Sequence, residues 1–249
     1  MANASTSIPI ISDIDFGEHY SHYFKHSEFQ IFSRKQKIYI PSQPCVGFSE
    51  RLNCYFWPTP NDNYEKNKRL LNQYIDLASK CLQDLKSNED RILSLFMDIC
   101  KWGGVKLPTN NSSEVIISLV AASSRSKLQV AKMNSAWTKL YAIFYPNDFI
   151  IFDSRVATSL LSIAEGILSK EEIVVFQKKY PALGYVNGRG GTRPRQLKYK
   201  WSNAYKLWEA QLDANLLCKS ICRHLNFDGV LNGSVTLRDL EAVLFMDGY

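Results

Sequence analysis

The feature that most constrains this chain is a helical apolar period that begins near Lys66 and recurs, punctuated by caps and stops, to its last residues. Between Lys66 and Leu85, apolar side chains stand at Leu70, Leu71, Tyr74, Ile75, Leu77, Ala78, Cys81, Leu82 and Leu85. That spacing marks one face of an amphipathic helix. Asn88 is placed to cap a second helix running to Trp102, with Ile92, Leu95, Phe96 and Ile99 inward, and Gly103-Gly104 stops it. Ser112 or Ser113 opens a third helix through Leu119, and a fourth is expected from Lys127 to Phe144. After a Pro146-Asn147 turn, Phe149 to Phe152 is a short extended run, and Asp153 opens a fifth helix toward Ile167. Lys170 to Lys179 is a sixth, and Arg195 to His224 reads as one long helix, broken at most once. Thr236 opens the last, with Asp239 at capping-box spacing. The predicted fold class is mainly α.

Residues 1–64 read differently, being rich in aromatics and turn formers, with a β-branched stretch at Lys37 to Ile40 that suits a strand. The expected organisation is a small irregular or β-containing N-terminal region, 1–64, followed by a helical domain, 65–249. An aromatic content of 12% excludes disorder as the main state. No apolar run reaches the roughly 18 residues a membrane span needs. The first residues lack a basic region followed by an apolar block, so no secretory signal is expected and a cytoplasmic, bacterial setting is the expectation.

Charge is distributed unevenly. From Ile173 to Trp208 there is no Asp or Glu, while Lys178, Lys179, Arg189, Arg193, Arg195, Lys198, Lys200 and Lys206 all fall there. Tyr180, Tyr185, Tyr199, Trp201 and Tyr205 are interleaved, and Gly188, Gly190 and Gly191 surround Arg189. Glycines let a backbone approach a phosphate, and the cations supply salt-sensitive affinity for a polyanion. A solvated basic face with no partner is the alternative.

Two clusters invite a metal reading and do not sustain it. No Cys-x-x-Cys occurs, and Cys218 and Cys222 have only His224 nearby, so reduced thiols are the simpler reading. His19, His22 and His26 share a helical face, but no carboxylate pattern follows them, and a partly buried His–Tyr cluster is preferred. No metal and no cofactor is expected. The residue with the clearest chemical potential is Asp153. Burial of the apolar run before it pins the chain, and the helix start offers N–H groups to its carboxylate. As a cap alone it contributes about 1 kcal/mol.

Ile150-Ile-Phe-Asp153-Ser-Arg-Val156 resembles the catalytic aspartate segment of helix–hairpin–helix DNA glycosylases. Trp137-Thr-Lys-Leu-Tyr-Ala-Ile-Phe-Tyr-Pro146 and the ending Leu240-Glu-Ala-Val-Leu-Phe-Met-Asp-Gly-Tyr249 are similar to the bacterial branch with an 8-oxoguanine-glycosylase-like fold. The resemblance covers residues 112–249. It implies base extrusion from double-stranded DNA, cleavage of the N-glycosidic bond, and an abasic product, with Asp153 as the catalytic carboxylate. Lys139 is the second catalytic candidate. Arg155, Arg189, Arg193, Arg195, Lys198 and Lys200 are expected to hold DNA, and Trp102, Trp137 and Tyr141 to line the base pocket. Bifunctional members carry a lysine in a glycine-rich hairpin, and here that position falls at Asn134-Ser135, between Lys132 and Lys139, without the glycines. A monofunctional, monomeric enzyme is therefore expected. The aromatic N-terminal segment suits a bulky base, as in anti-phage glycosylases that attack glucosylated hydroxymethylcytosine. Oxidised guanine is the alternative substrate, and a non-enzymatic DNA-binding module the alternative function.

Overall fold

A computed structural model describes residues 14–34, 36–188, 192–193 and 196–249. Ten helices and one two-stranded sheet make up the described residues. In chain order they are α1 (Phe16–His26), β1 (Glu28–Ser33), β2 (Ile38–Val46), α2 (Phe48–Asn53), α3 (Tyr64–Leu82), α4 (Glu89–Trp102), α5 (Ser112–Ser123), α6 (Trp137–Phe144), α7 (Ser154–Ile167), α8 (Lys170–Lys179), α9 (Trp208–Phe227) and α10 (Leu237–Asp247). The mainly helical class is thus observed, with its small antiparallel sheet near the N-terminus. The strands pair Phe32 with Tyr39 and Ser33 with Ile38, with a bulge between Phe29 and Ile31. No helix among the described residues is long and apolar enough to cross a membrane.

The buried side chains form two cores. The first joins Phe16, Tyr20 and Phe24 of α1 to Val156, Leu160, Phe176, Ile221, Leu240 and Val243. The second joins Leu71, Phe96, Leu119, Trp137, Tyr141, Phe149 and Trp208. The expected division at residue 64 does not coincide with this one. Phe29, Phe48, Leu52, Tyr55 and Phe56 belong to the same core as α7, α9 and α10. Gly17 is part of the reason: a Cβ there would lie 2.2 Å from Ser220 Oγ and 2.6 Å from the Ser220 carbonyl carbon, so α1 meets α9 backbone to backbone.

Two expected helices are shorter than their apolar patterns. The fourth begins only at Trp137, because Asn134 Oδ1 accepts the N–H groups of Ala136 (2.8 Å) and Trp137 (3.2 Å) and satisfies the helix start there. Arg125 adopts a left-handed φ of 51°, and Leu128 and Val130 are left exposed. The long helix expected from Arg195 begins only at Trp208. Ahead of it, the Glu165 carboxylate accepts the N–H groups of Lys198 (2.6 Å) and Tyr199 (2.9 Å) and the Trp201 indole (2.7 Å). These bonds tie the segment to α7, and Lys206 at a left-handed φ of 64° interrupts a helical course just before Trp208.

Candidate active site

The run Phe149 to Phe152 crosses from one core to the other. Phe149 is buried in the second, Ile150 and Phe152 in the first. It is extended but pairs with no strand, so its buried backbone groups need other partners. Side chains supply them. Asn215 Oδ1 accepts from Ile150 N–H at 3.1 Å, and Gln211 Nε2 donates to the Ile150 carbonyl at 2.9 Å. Thr138 Oγ1 accepts from Phe152 N–H at 2.7 Å and donates to Gln211 Oε1 at 2.7 Å. Thr138, Gln211 and Asn215 are all buried. These bonds hold Ile150 and Phe152 in one geometry, and Asp153 leaves the end of the run at the seam between the cores.

Asp153 caps α7. Its Oδ1 accepts the N–H groups of Arg155 (3.0 Å) and Val156 (3.2 Å). Its Oδ2 lies 3.8 Å from Lys139 Nζ. The carboxylate borders a cleft of about 1290 Å³. Lys139 reaches the cleft from α6 as a buried side chain whose ammonium also donates to the Ser135 carbonyl at 3.0 Å. It threads past the end of α4: a Cβ at Gly103 would sit 2.6 Å from both Cδ and Cε of Lys139. The glycine pair read as a helix stop therefore also makes room for this amine. Lys132, the other lysine near the hairpin position, is turned away and pairs with Glu114.

The walls come from both cores. Trp57 donates its indole N–H to the Trp102 carbonyl (2.9 Å), Trp102 donates to Asn67 Oδ1 (2.9 Å), and Asn67 Nδ2 donates to the Trp57 carbonyl (2.6 Å). Phe245 meets Trp57 edge-on at 5.4 Å. One turn from Phe245 on α10, Glu241 borders the cleft as a buried carboxyl paired with Arg238. Burial pushes its pKa up, against the pull of Arg238. Arg238 in turn donates to the Tyr55 hydroxyl at 2.7 Å, and burial pushes that phenol up to about 12.

The sequence-predicted site residues separate into groups. Asp153, Lys139, Arg155 and Trp102 converge on the cleft. Trp137 and Tyr141, expected in the base pocket, are instead interior side chains of the second core. Trp137 packs on Phe96 at 5.0 Å, and the Tyr141 hydroxyl donates to the Lys132 carbonyl at 2.5 Å. Trp137 and Tyr141 stand one turn apart on α6 and share the face that packs on Phe96 and Phe149, whereas Lys139, two residues from each, leaves the helix on another side. Arg155, expected on DNA phosphate, is 8% exposed and lies under aromatic rings. Arg193 is engaged by Asp247 at 3.1 Å, and its N–H donates to the Gly248 carbonyl. Lys198 and Lys200 are exposed. Arg189 and Arg195 lie outside the described residues. Among the described residues no group of three or more His, Cys, Asp or Glu is arranged to hold a metal. The His22 and His26 rings meet at a tilt with their centres 4.5 Å apart, while His19 faces Glu172.

Sequence reasoning did not single out Glu241, Phe245, Tyr249, Thr138, Gln211 or Asn215. Each sits inside an ordinary helical apolar pattern or at its edge, and no local signal distinguishes a buried polar residue that will be satisfied from one that faces solvent. No family model, curated protein or solved structure matches the chain.

Proposed function

We propose that this chain is a DNA glycosylase of helix–hairpin–helix type that extrudes a modified base and hydrolyses its N-glycosidic bond. The observation that carries the reading is Asp153: one oxygen accepts from the helix start, the other faces an ammonium at 3.8 Å, and the residue borders a large cleft. Extrusion costs a few kcal/mol, which aromatic walls such as Trp57 and Trp102 would repay by stacking. As the bond between C1′ and the base breaks, its electron pair leaves with the base and positive charge grows on the sugar. A fixed carboxylate stabilises that charge. Water then bonds to C1′ and releases a proton to the carboxylate or to solvent. Lys139 holds the carboxylate's orientation from the opposite side.

A cleft of about 1290 Å³ exceeds the roughly 300–1,000 Å³ of ordinary small-molecule pockets. That favours a bulky base. Glucosylated hydroxymethylcytosine in phage DNA is the substrate placed first, and 8-oxoguanine the second. The exposed Lys198 and Lys200 suit the duplex backbone.

The test is a panel of DNAs, including modified phage genomes, followed by alkali to reveal abasic sites. Asp153→Asn is expected to cut release by about 10²–10³-fold, the scale of a lost electrostatic stabiliser. Full activity in that variant would remove the catalytic assignment. Salt-sensitive binding without release from any DNA would make the chain a binding module.

A further inference from the structure

Arg155 is in an unusual state for an arginine. Its side chain is buried, with 8% of the residue exposed, yet no carboxylate among the described residues lies within ion-pair distance. Its Nη1 has no hydrogen-bond partner. Instead the guanidinium carbon lies 4.2 Å from the ring centres of Phe245 and Tyr249 and 5.4 Å from that of Trp57. Burial lowers its pKa, although Asp153 opposes the shift. Aromatic faces attract a cation but accept none of its five N–H bonds in the way an oxygen does. Elsewhere in the molecule the buried Arg238 is paired with Glu241, and the buried Arg51 donates to Ser27 and faces Asp247. All three keep a buried nitrogen without a partner, and of the three only Arg155 borders the cleft.

The position is also built. A Cβ at Gly248 would lie 2.1 Å from the Arg155 carbonyl oxygen, so the end of the chain closes directly onto this residue and brings Tyr249 over it. The guanidinium is thus held flat, in a dry aromatic slot, two residues from Asp153. Such a group is suited to a planar partner that offers two acceptors side by side.

We propose that Arg155 reads the O2 and N3 acceptors of an extruded cytosine-class base, and so sets the base preference of the cleft. This rests on reading the cleft as a base pocket. The donor pattern decides between the two candidate substrates. Arginine offers donors only. Cytosine presents two adjacent acceptors, O2 and N3, on its pairing edge, whatever is attached at C5. The pairing edge of 8-oxoguanine presents the donors N1–H and N2–H beside O6, and its N7 carries a hydrogen, which removes the paired O6/N7 acceptors of ordinary guanine. Only the cytosine class matches a buried fork of donors.

Free bases test this independently of cleavage. Binding of 5-hydroxymethylcytosine and of 8-oxoguanine would be followed by tryptophan fluorescence, since Trp57 and Trp102 border the cleft. The wild type is expected to favour the cytosine base. Arg155→Met should weaken that base by about 10- to 100-fold, the discrimination a bidentate base contact supplies, and leave 8-oxoguanine unchanged. Arg155→Lys keeps the charge without the fork and should fall between, which serves if the Met variant folds poorly by thermal melting. A duplex with a single abasic site, which has no base to read, should bind both variants like the wild type. Equal losses for both bases, a loss on abasic DNA, which would mark a phosphate contact, or no binding of either base would each overturn the proposal. Arg155-dependent base binding in a protein that releases nothing from any DNA would leave Arg155 standing and remove the glycosylase reading instead.

Discussion

Asp15 and Asp153 cap α1 and α7 in the same manner, each lending one oxygen to the N–H groups of its own helix. They differ in what the rest of the carboxylate meets. At Asp15, Ser220 bonds the capping oxygen, and the other oxygen receives Arg223 (2.6 Å) and faces His224 Nε2 (3.0 Å). Burial raises the Asp15 pKa, but hydrogen bonds from Ser220 and His224 outweigh it and hold the carboxyl below its usual range. At Asp153 the second oxygen has one ammonium at 3.8 Å and the cleft. The first carboxylate is spent on fastening α1 to α9. The second is held by its own helix through one oxygen, and its other oxygen has no hydrogen bond among the described residues. A local capping pattern therefore says that a carboxylate is fixed, and the neighbours it meets across the fold say whether anything is left for a ligand.

The sharpest way to break this comparison is to neutralise both. Asp153→Asn should cost about 10²–10³-fold in base release and little in stability, because an Asn side chain still caps. Asp15→Asn should leave base release unchanged when measured on the same DNA. If the two variants lose activity equally, the contrast is empty.

A subtler change tests the ammonium that faces the second oxygen. Gly103→Ala places a methyl where Lys139 Cδ and Cε now run, so the amine must shift while every polar group stays in the protein. Base release is expected to fall by about tenfold, in line with the sensitivity of catalysis to small misplacements. Unchanged kinetics would show that Lys139 has no positioning role.

Replacing Lys198 and Lys200 by Gln should weaken DNA binding uniformly across sequences. The slope of log affinity against log salt should become shallower by about 1.8, at roughly 0.9 per phosphate contact. A change confined to one substrate would place these residues at the base rather than the backbone.

The smallest effect concerns acid. A folded-state pKa below the unfolded one means that Asp15 contributes stability above the ordinary carboxylate range, and that this contribution is lost as pH falls below about 4. Thermal melting of Asp15→Asn should be lower than wild type at neutral pH, because the amide keeps the cap but loses the charge that Arg223 and His224 meet, and the gap should narrow in acid. A gap that widens in acid would contradict the sign.

Much of the helical layout was legible in the residues. The cap at Thr236 and the stop at Gly103-Gly104 follow local chemistry, and α3, α4, α5, α7, α8 and α10 lie close to where periodicity puts them, although α5 is capped by Asn111 rather than by Ser112 or Ser113 and the Asn88 side chain makes no capping bond. The failures share one cause. Residues 127–136 and 195–207 carry helix-compatible patterns, yet long-range partners claim their backbone: Ser118 Oγ accepts from Lys132 N–H, and Glu165 accepts from Lys198 and Tyr199. Sequence spacing cannot register a hydrogen bond to a residue tens of positions away. The same blindness hid the polar support of the site. Thr138, Gln211 and Asn215 look like interruptions of apolar helices, and they become the partners of an unpaired extended run only when α6 and α9 meet around it.

What the sequence determined by itself is therefore local: where helices start, that Asp153 stands at one of those starts, and that an apolar run anchors it, because capping and burial depend on residues within a turn of each other. Tertiary packing decided the rest. It brought Lys139 through the gap at Gly103, drew Trp137 and Tyr141 into the interior, and closed Phe245 and Tyr249 over Arg155. Each of those outcomes depends on two segments far apart in the chain sharing one space, and burial of large apolar side chains, at about 1.5–3 kcal/mol each, outweighs the local preferences that would have placed them otherwise.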